Sequence, residues 1–233
     1  MDAPSPADIA RDLNAYGLSL RGCWVPDAGD ALPMLPDGAH PGVVWMVGVV
    51  GSAFWPHFKA STFFSDGLPD PLDRWSQAIG QAMAQRYGGV ALYPFDGPPY
   101  HPFQRWADRA EPTQPSAMML RIHPEHGLWH AYRFALALPG QPALAKPIAQ
   151  VAAPVADLCA SCNGQPCLQA CPVHAYTGTT FVLQDCADHL HSGQGEDCMQ
   201  SGCLARRACP VGARQRYTPE HAAFHMQAFA SRH

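Results

Sequence analysis

Eight of the chain's nine cysteines share one stretch, in two halves that each end in Cys-Pro. The first half is Cys159-x2-Cys162-x4-Cys167-x3-Cys171-Pro172, and the second is Cys186-x11-Cys198-x4-Cys203-x5-Cys209-Pro210. In a reducing compartment such density reads as metal binding sooner than as disulfides, because thiolates are soft ligands suited to iron–sulfur clusters and to zinc. Two zinc sites of four cysteines each are one reading. The paired Cys-Pro endings and the x3 spacing before Cys171 speak against it, since zinc modules more often use two CxxC knuckles. Cys23 stands alone and reads as a small buried hydrophobe on a strand.

The block resembles the bacterial two-cluster ferredoxins, whose C-x2-C-x2-C-x3-C-P runs send the fourth cysteine of each run to the other run's cluster. The first half fits with a small insertion and the second with larger ones. The resemblance implies two [4Fe-4S] clusters, one on Cys159, Cys162, Cys167 and Cys209, the other on Cys171, Cys186, Cys198 and Cys203. His174, His189 and His191 lie among these ligands, where they are expected to donate N–H groups toward cluster sulfur. Two neighbouring clusters form an electron wire, and a wire needs a terminus.

The remaining residues must supply the scaffold. A length of 233 residues allows one large domain or two modest ones, and 47% hydrophobic content excludes a disordered chain. With 15 basic against 19 acidic residues there is no electrostatic case for a polyanion, so no nucleic acid partner is expected. Residues 1–150 alternate short apolar runs with helical patterns and read as an α+β domain. A proline-marked linker, Pro139–Pro154, leads into a cysteine module over 151–233 that closes with a helix over Pro219–Ala230.

Within the first domain the pattern predicts a helix over Pro6–Tyr16 capped by Ser5, a strand over Leu18–Val25 and a strand over Val43–Val50 buried on both faces. A helix capped by Asp70 should run from Pro71 to Tyr87 and stop at Gly88-Gly89. A strand over Val90–Phe95 and a helix over Phe103–Arg109 follow, then two strands, Ser116–Ile122 and Trp129–Leu138, joined by a turn at His123–Gly127. The longest apolar run is too short to span a bilayer, which needs about 20 residues, so no membrane association is expected. The N-terminal residues lack the features of a secretory or twin-arginine signal, which makes a cytoplasmic protein the expectation.

Two segments of the first domain carry a further resemblance. Asp70-Pro-Leu-Asp-Arg-Trp75 follows the Ala53-Phe-Trp-Pro-His-Phe58 stretch, and His123-Pro-Glu-His-Gly-Leu-Trp-His-Ala-Tyr-Arg133 is followed by Leu136-Ala-Leu-Pro139. Over roughly 45–140 this is similar to cobalamin-processing proteins of the CblC type, whose fold is nitroreductase-like. The joined cysteine block is similar to that of epoxyqueuosine reductases and reductive dehalogenases, which place a CblC-like domain before a two-cluster module. The implied architecture is a nitroreductase-like (CblC-like) N-terminal domain with a small C-terminal ferredoxin-like module. The implied activity is an iron–sulfur oxidoreductase that binds cobalamin and delivers electrons through the clusters to cobalt, for reduction or dealkylation of the corrinoid or for a small reductive reaction. A ferredoxin or flavodoxin would be the electron donor, and such scaffolds often form homodimers.

The resemblance points to Arg133, Trp129 and His123 as cofactor-binding residues. Arg133 reads either as a cation holding an anionic group or as half of a strand-end salt bridge. Trp129 reads as a wall of the corrin site or as core, and His123 as a ligand or proton donor or as a turn organiser. Arg206, Arg207, Arg214 and Arg216 read as a docking patch or a solvated face. Tyr93, Tyr100 and Tyr132 are candidate proton donors. No Gly-rich phosphate loop precedes a helix, which disfavours a dinucleotide. Two alternatives remain open: a ferredoxin-type electron carrier without corrinoid, and a flavin-dependent reductase on the same scaffold.

Overall fold

A computed structural model describes residues 5–140 and 157–233. The chain divides into two compact units, one formed by Met1–Pro112 with Ala131–Ala153, the other by Thr113–His130 with Pro154–His233. The fold is mixed α and β, with a small, largely antiparallel sheet in the first unit. No described helix is long and apolar enough to cross a membrane. The expected boundary at 150/151 and most of the Pro139–Pro154 linker lie outside the described residues. The stretch 113–130, assigned to the first domain by position in sequence, belongs by compactness to the unit that holds the eight cysteines.

The first unit is organised by a sheet of order β1-β2-β6-β3, made from Ser19–Trp24, Val43–Val50, His130–Leu138 and Val90–Leu92. β1 pairs antiparallel with β2, and β3 antiparallel with β6. Val43–Val50 is the central, almost wholly buried strand that its unbroken apolar run predicts. Helix α5, Phe103–Ala110, packs Phe103, Trp106 and Ala110 against Trp24, Val44, Met46, Ala135 and Ala137. Leu136, between those two alanines, points to the opposite face and is also fully buried, so both faces of the sheet are covered.

Helix α1, Pro6–Asn14, begins as expected, with the Ser5 hydroxyl accepting the N–H of Asp8. Two short helices, α2 (Trp55–Lys59) and α3 (Thr62–Ser65), precede α4, which runs Pro71–Tyr87 and stops at Gly88 in the left-handed region, φ 68°. Proline at the first position and glycine after the last make these bounds legible. Asp70 departs from its expected role: it takes φ 50° and its side chain makes no capping hydrogen bond.

Two strand assignments also need correction. The strand expected over Val90–Phe95 ends at Leu92, because the Tyr93 N–H turns to the Asp96 carboxylate (3.1 Å) and Pro94 has no N–H to offer the ladder. The strand expected over Ser116–Ile122 shrinks to β5, Arg121–Ile122, which pairs with β4, Gln114–Pro115. Between them Ser116 closes a turn: its N–H donates to the Leu120 carbonyl and its own carbonyl accepts from Met119, both at 3.0 Å. β5 therefore belongs to a two-stranded sheet and does not form a hairpin with β6.

The second unit is built from short helices: α6 (Pro166–Gln169), α7 (Leu183–His191), α8 (Glu196–Ser201), α9 (Leu204–Ala208) and α10 (Pro219–Ala230). The last has the bounds that its sequence predicts.

Candidate metal centre

All eight clustered thiols are free, and their placement follows from local turns. The Asp157 carboxylate accepts the N–H groups of Cys159 (3.0 Å) and Ala160 (2.9 Å), coiling the chain so that Cys162 follows one turn later. Cys167 rides on α6 and Cys171 follows its end; Cys186 and Cys198 lie within α7 and α8, while Cys203 and Cys209 flank α9.

Electrostatic reach divides the thiols into two sets that cross the sequence halves. Burial pushes the Cys209 thiol up, and the charges of Cys167, Cys159 and Cys162 push it in the same direction. Burial also raises Cys167, with Cys159 and Cys162 adding to it. The second set behaves alike: burial, then Cys203, Cys171 and Cys198, push Cys186 up to about 11. Cys203 is raised by burial and by Cys198 and Cys171. Cys209 of the second half is thus coupled electrostatically to the first three cysteines, and Cys171 of the first half to the other three.

Backbone amides oppose that upward push. The Ala175 N–H donates to the Cys171 sulfur at 3.3 Å. Amides of Leu168, Leu204, Arg206 and Val211 lower Cys167, Cys198, Cys203 and Cys209 respectively, although burial remains the larger effect in each. N–H groups aimed at sulfur stabilise the anion, the form that ligates metal.

The second set lines a cavity of ≈ 170 Å³, more than ten times the ~10–15 Å³ that one water requires. Tyr176, Phe181, Met226 and Phe229 form its apolar wall, and His189 faces it from α7. The first set lies nearer solvent: Cys159 and Cys162 are half-buried beside exposed Ala160, Ser161 and Asn163. Among the described residues no three His, Cys, Asp or Glu side chains converge as a ready-made shell around one metal ion.

The resemblance-derived residues do not assemble into one site. His123 and Trp129 belong to the second unit and Arg133 to the first. Nδ1 of His123 accepts the N–H groups of Glu125 (3.1 Å) and His126 (3.3 Å), and its ring stacks on His126 at 4.3 Å, so it organises the turn. Gly127 in that turn, at φ 58°, abuts the backbone of Val211, just past Cys209, leaving no room for a Cβ. The glycine of the HPEHG motif is thereby explained by packing against the cysteine loop. Trp129 is buried against Tyr217 and lies under the Arg206 guanidinium, 4.7 Å from its ring centroid. Arg133 resolves as a salt bridge: it reaches Asp73 at 2.6 Å, the Ser76 hydroxyl at 2.9 Å and the Leu72 carbonyl at 3.2 Å.

The basic concentration is only partly a surface patch. Arg206 donates to the Leu128 carbonyl and lies 4.5 Å from the Tyr217 ring centroid, Arg207 pairs with Asp197 at 2.6 Å, and Arg216 donates to the Arg207 carbonyl. His174 and His191 are exposed, whereas His189 is buried. Cys23 is buried and its thiol is pushed up to about 11 by that burial, which suits a plain core residue. Tyr93 and Tyr132 are both raised, chiefly by burial, which makes them poor proton donors; Tyr100 is exposed. The linear reading missed residues 113–130, whose Met118 and Leu120 line the cavity although no cysteine marks them. Compared with known proteins, the chain matches no family model and no curated protein.

Proposed function

We propose that the chain is an iron–sulfur electron-transfer protein, with a nitroreductase-like first unit and a ferredoxin-like second unit holding two [4Fe-4S] clusters. The observation that carries this reading is a cavity lined by four free thiols, Cys171 from the first half of the block and Cys186, Cys198 and Cys203 from the second. The donor chemistry fits: all-thiolate sets, backbone N–H groups aimed at sulfur, and a cavity with an apolar wall beside the second set. When bound, such clusters supply one-electron transfer.

The chain's own residues give the two sets different tasks. Half-buried Cys159 and Cys162 bring the first set within reach of a soluble ferredoxin- or flavodoxin-type donor. Tyr176, Phe181, Met226 and Phe229 shield the second set from water, while Ala175 and Leu204 orient its sulfurs. Anaerobic analysis should find about eight iron and about eight sulfide per chain. Zinc without sulfide would end the proposal.

A corrinoid acceptor is the second reading, and the HPEHGLWHAYR segment favours it. The residues expected to hold a corrinoid do not fit one as they stand: Arg133 is engaged by Asp73, Ser76 and Leu72, His123 by its own turn, and Trp129 by Arg206 and Tyr217. Cobalamin acting as electron acceptor should bind base-off and be reduced when the clusters are reduced. Spectra of protein and cob(II)alamin that simply add leave the electron carrier without corrinoid, and a bound yellow chromophore would select the flavin alternative.

A further inference from the structure

We infer that His189 is a hydrogen-bond donor to the sulfur of the group held by Cys171, Cys186, Cys198 and Cys203, and that this bond sets its reduction potential apart from that of the other set. The inference rests on the two-cluster reading above and adds a residue to one of its sites.

Three observations converge on this imidazole. His189 is 9% exposed, and its Nε2 has no hydrogen-bond partner in the protein. His189 is among the residues that line the cavity shared by the four thiols. Its backbone is held: the His189 carbonyl accepts the Ser192 hydroxyl (2.7 Å) and the Ser192 N–H (3.1 Å), which fixes the end of α7.

A buried imidazole nitrogen without a partner is costly, and native structures rarely leave one in that state. The rest of the lining is largely apolar, with Met118, Tyr176, Phe181, Met226 and Phe229 prominent, so the acceptor must come from whatever fills the cavity. Four thiols already complete a cluster's ligand set, and its sulfurs are anionic acceptors within the space that the ring faces. An N–H group beside them favours the reduced state, which carries one more negative charge, and therefore raises the potential. His174 and His191, both exposed, make no comparable approach.

The test uses the full chain purified anaerobically as wild type, His189→Leu and His189→Gln. Iron and sulfide are counted, and both potentials are measured by titration monitored with electron paramagnetic resonance. His189→Leu, which has no donor, should lower one potential by an amount equivalent to about tenfold in the reduction equilibrium, ~59 mV for one electron, and leave the other unchanged. His189→Gln retains an N–H and should restore most of the shift, which a purely packing role would not do. A fully loaded His189→Leu chain with both potentials unmoved overturns the inference and leaves the two-cluster reading intact. Should His189→Leu fail to load, wild type labelled with 15N-histidine decides: hyperfine coupling from a histidine nitrogen to one reduced cluster upholds the inference and its absence overturns it. A wild-type chain without iron and sulfide overturns the parent reading and this inference with it.

Discussion

The two units bury their interiors with different materials. Among the described residues, ten of the twelve largest fully buried side chains belong to the first unit, among them Trp24, Phe54, Phe58 and Phe134, and Met118 and Ile122 to the second. A core cluster of the second unit is instead made of Cys167, Cys171 and Cys209 with alanines and a few aliphatic residues. A unit of short helices with such a core has little apolar area from which to draw stability. The first unit is held by its sheet and its large side chains; under the proposed function, the second depends on what its thiols bind.

Metal removal is the strongest way to break this contrast. Anaerobic iron chelation should abolish amide protection throughout α6, α7, α8 and α9, because ligand binding there is folding free energy. Protection in β1, β2 and β6 should persist, since their hydrogen bonds and packing involve none of the eight thiols. Equal retention of protection in both units, read by hydrogen exchange, would sink the contrast.

The next largest effect concerns the first unit's buried ion pair. Arg21 on β1 holds Glu111 with two hydrogen bonds, 2.9 and 3.1 Å, and the Tyr132 hydroxyl donates to the same carboxylate at 2.7 Å. Arg21 is 3% exposed and Glu111 7%, so removing one partner strands a buried charge. Glu111→Ala should cost about 3–5 kcal/mol, whereas Arg21→Met with Glu111→Leu should recover most of it. Denaturant unfolding measures both variants, and iron content should stay at the wild-type level throughout.

A smaller effect in the second unit depends on shape as well as charge. Arg206 lies over the Trp129 and Tyr217 rings at 4.7 and 4.5 Å and donates to the Leu128 carbonyl. Arg206→Met should cost about 2 kcal/mol through the lost cation–π contact and the unsatisfied carbonyl. Arg206→Lys should not restore it, because an ammonium cannot present a plane to two rings. Tryptophan fluorescence and amide exchange near Trp129 would report the change, and rescue by lysine would show that charge alone matters.

What the sequence made legible differs between the units for the same physical reason. Val43–Val50 and Pro71–Tyr87 are written in local patterns, an unbroken apolar run and a Pro-to-Gly bracketed amphipathic helix, and the structure reproduces both. The crossed division of the thiols is an expectation of the ferredoxin resemblance, and the mutual charge effects of Cys209 with Cys159, Cys162 and Cys167 are compatible with it. Ser116–Leu120 was not legible: its short apolar run suits a strand, yet hydrogen bonds between Ser116, Met119 and Leu120 close it into a turn. The docking of the HPEHG turn on Val211 was equally hidden, since it joins backbones far apart in sequence and shows locally only as Gly127. Arg133 reads from the sequence either as a ligand holder or as a salt bridge, and only the structure chooses the latter, because its partners, Asp73 and Ser76, lie on another element.

The smallest expected effect isolates backbone conformation from packing. Gly88 ends α4 at φ 68°, and a Cβ placed there would meet nothing within 4 Å. Only the left-handed conformation is therefore at stake, and it should cost alanine about 1–2 kcal/mol. Gly88→Asn should cost less, because asparagine tolerates that region better. For a chain of this size each kcal/mol corresponds to roughly 2–4 °C in Tm. Because the residue lies in the unit with the large apolar core, Gly88→Ala should lower only the transition of that unit and leave that of the cysteine-bearing unit in place. A shift of both transitions would mean that the two units unfold as one, and the contrast in how they are held would then have no thermodynamic consequence.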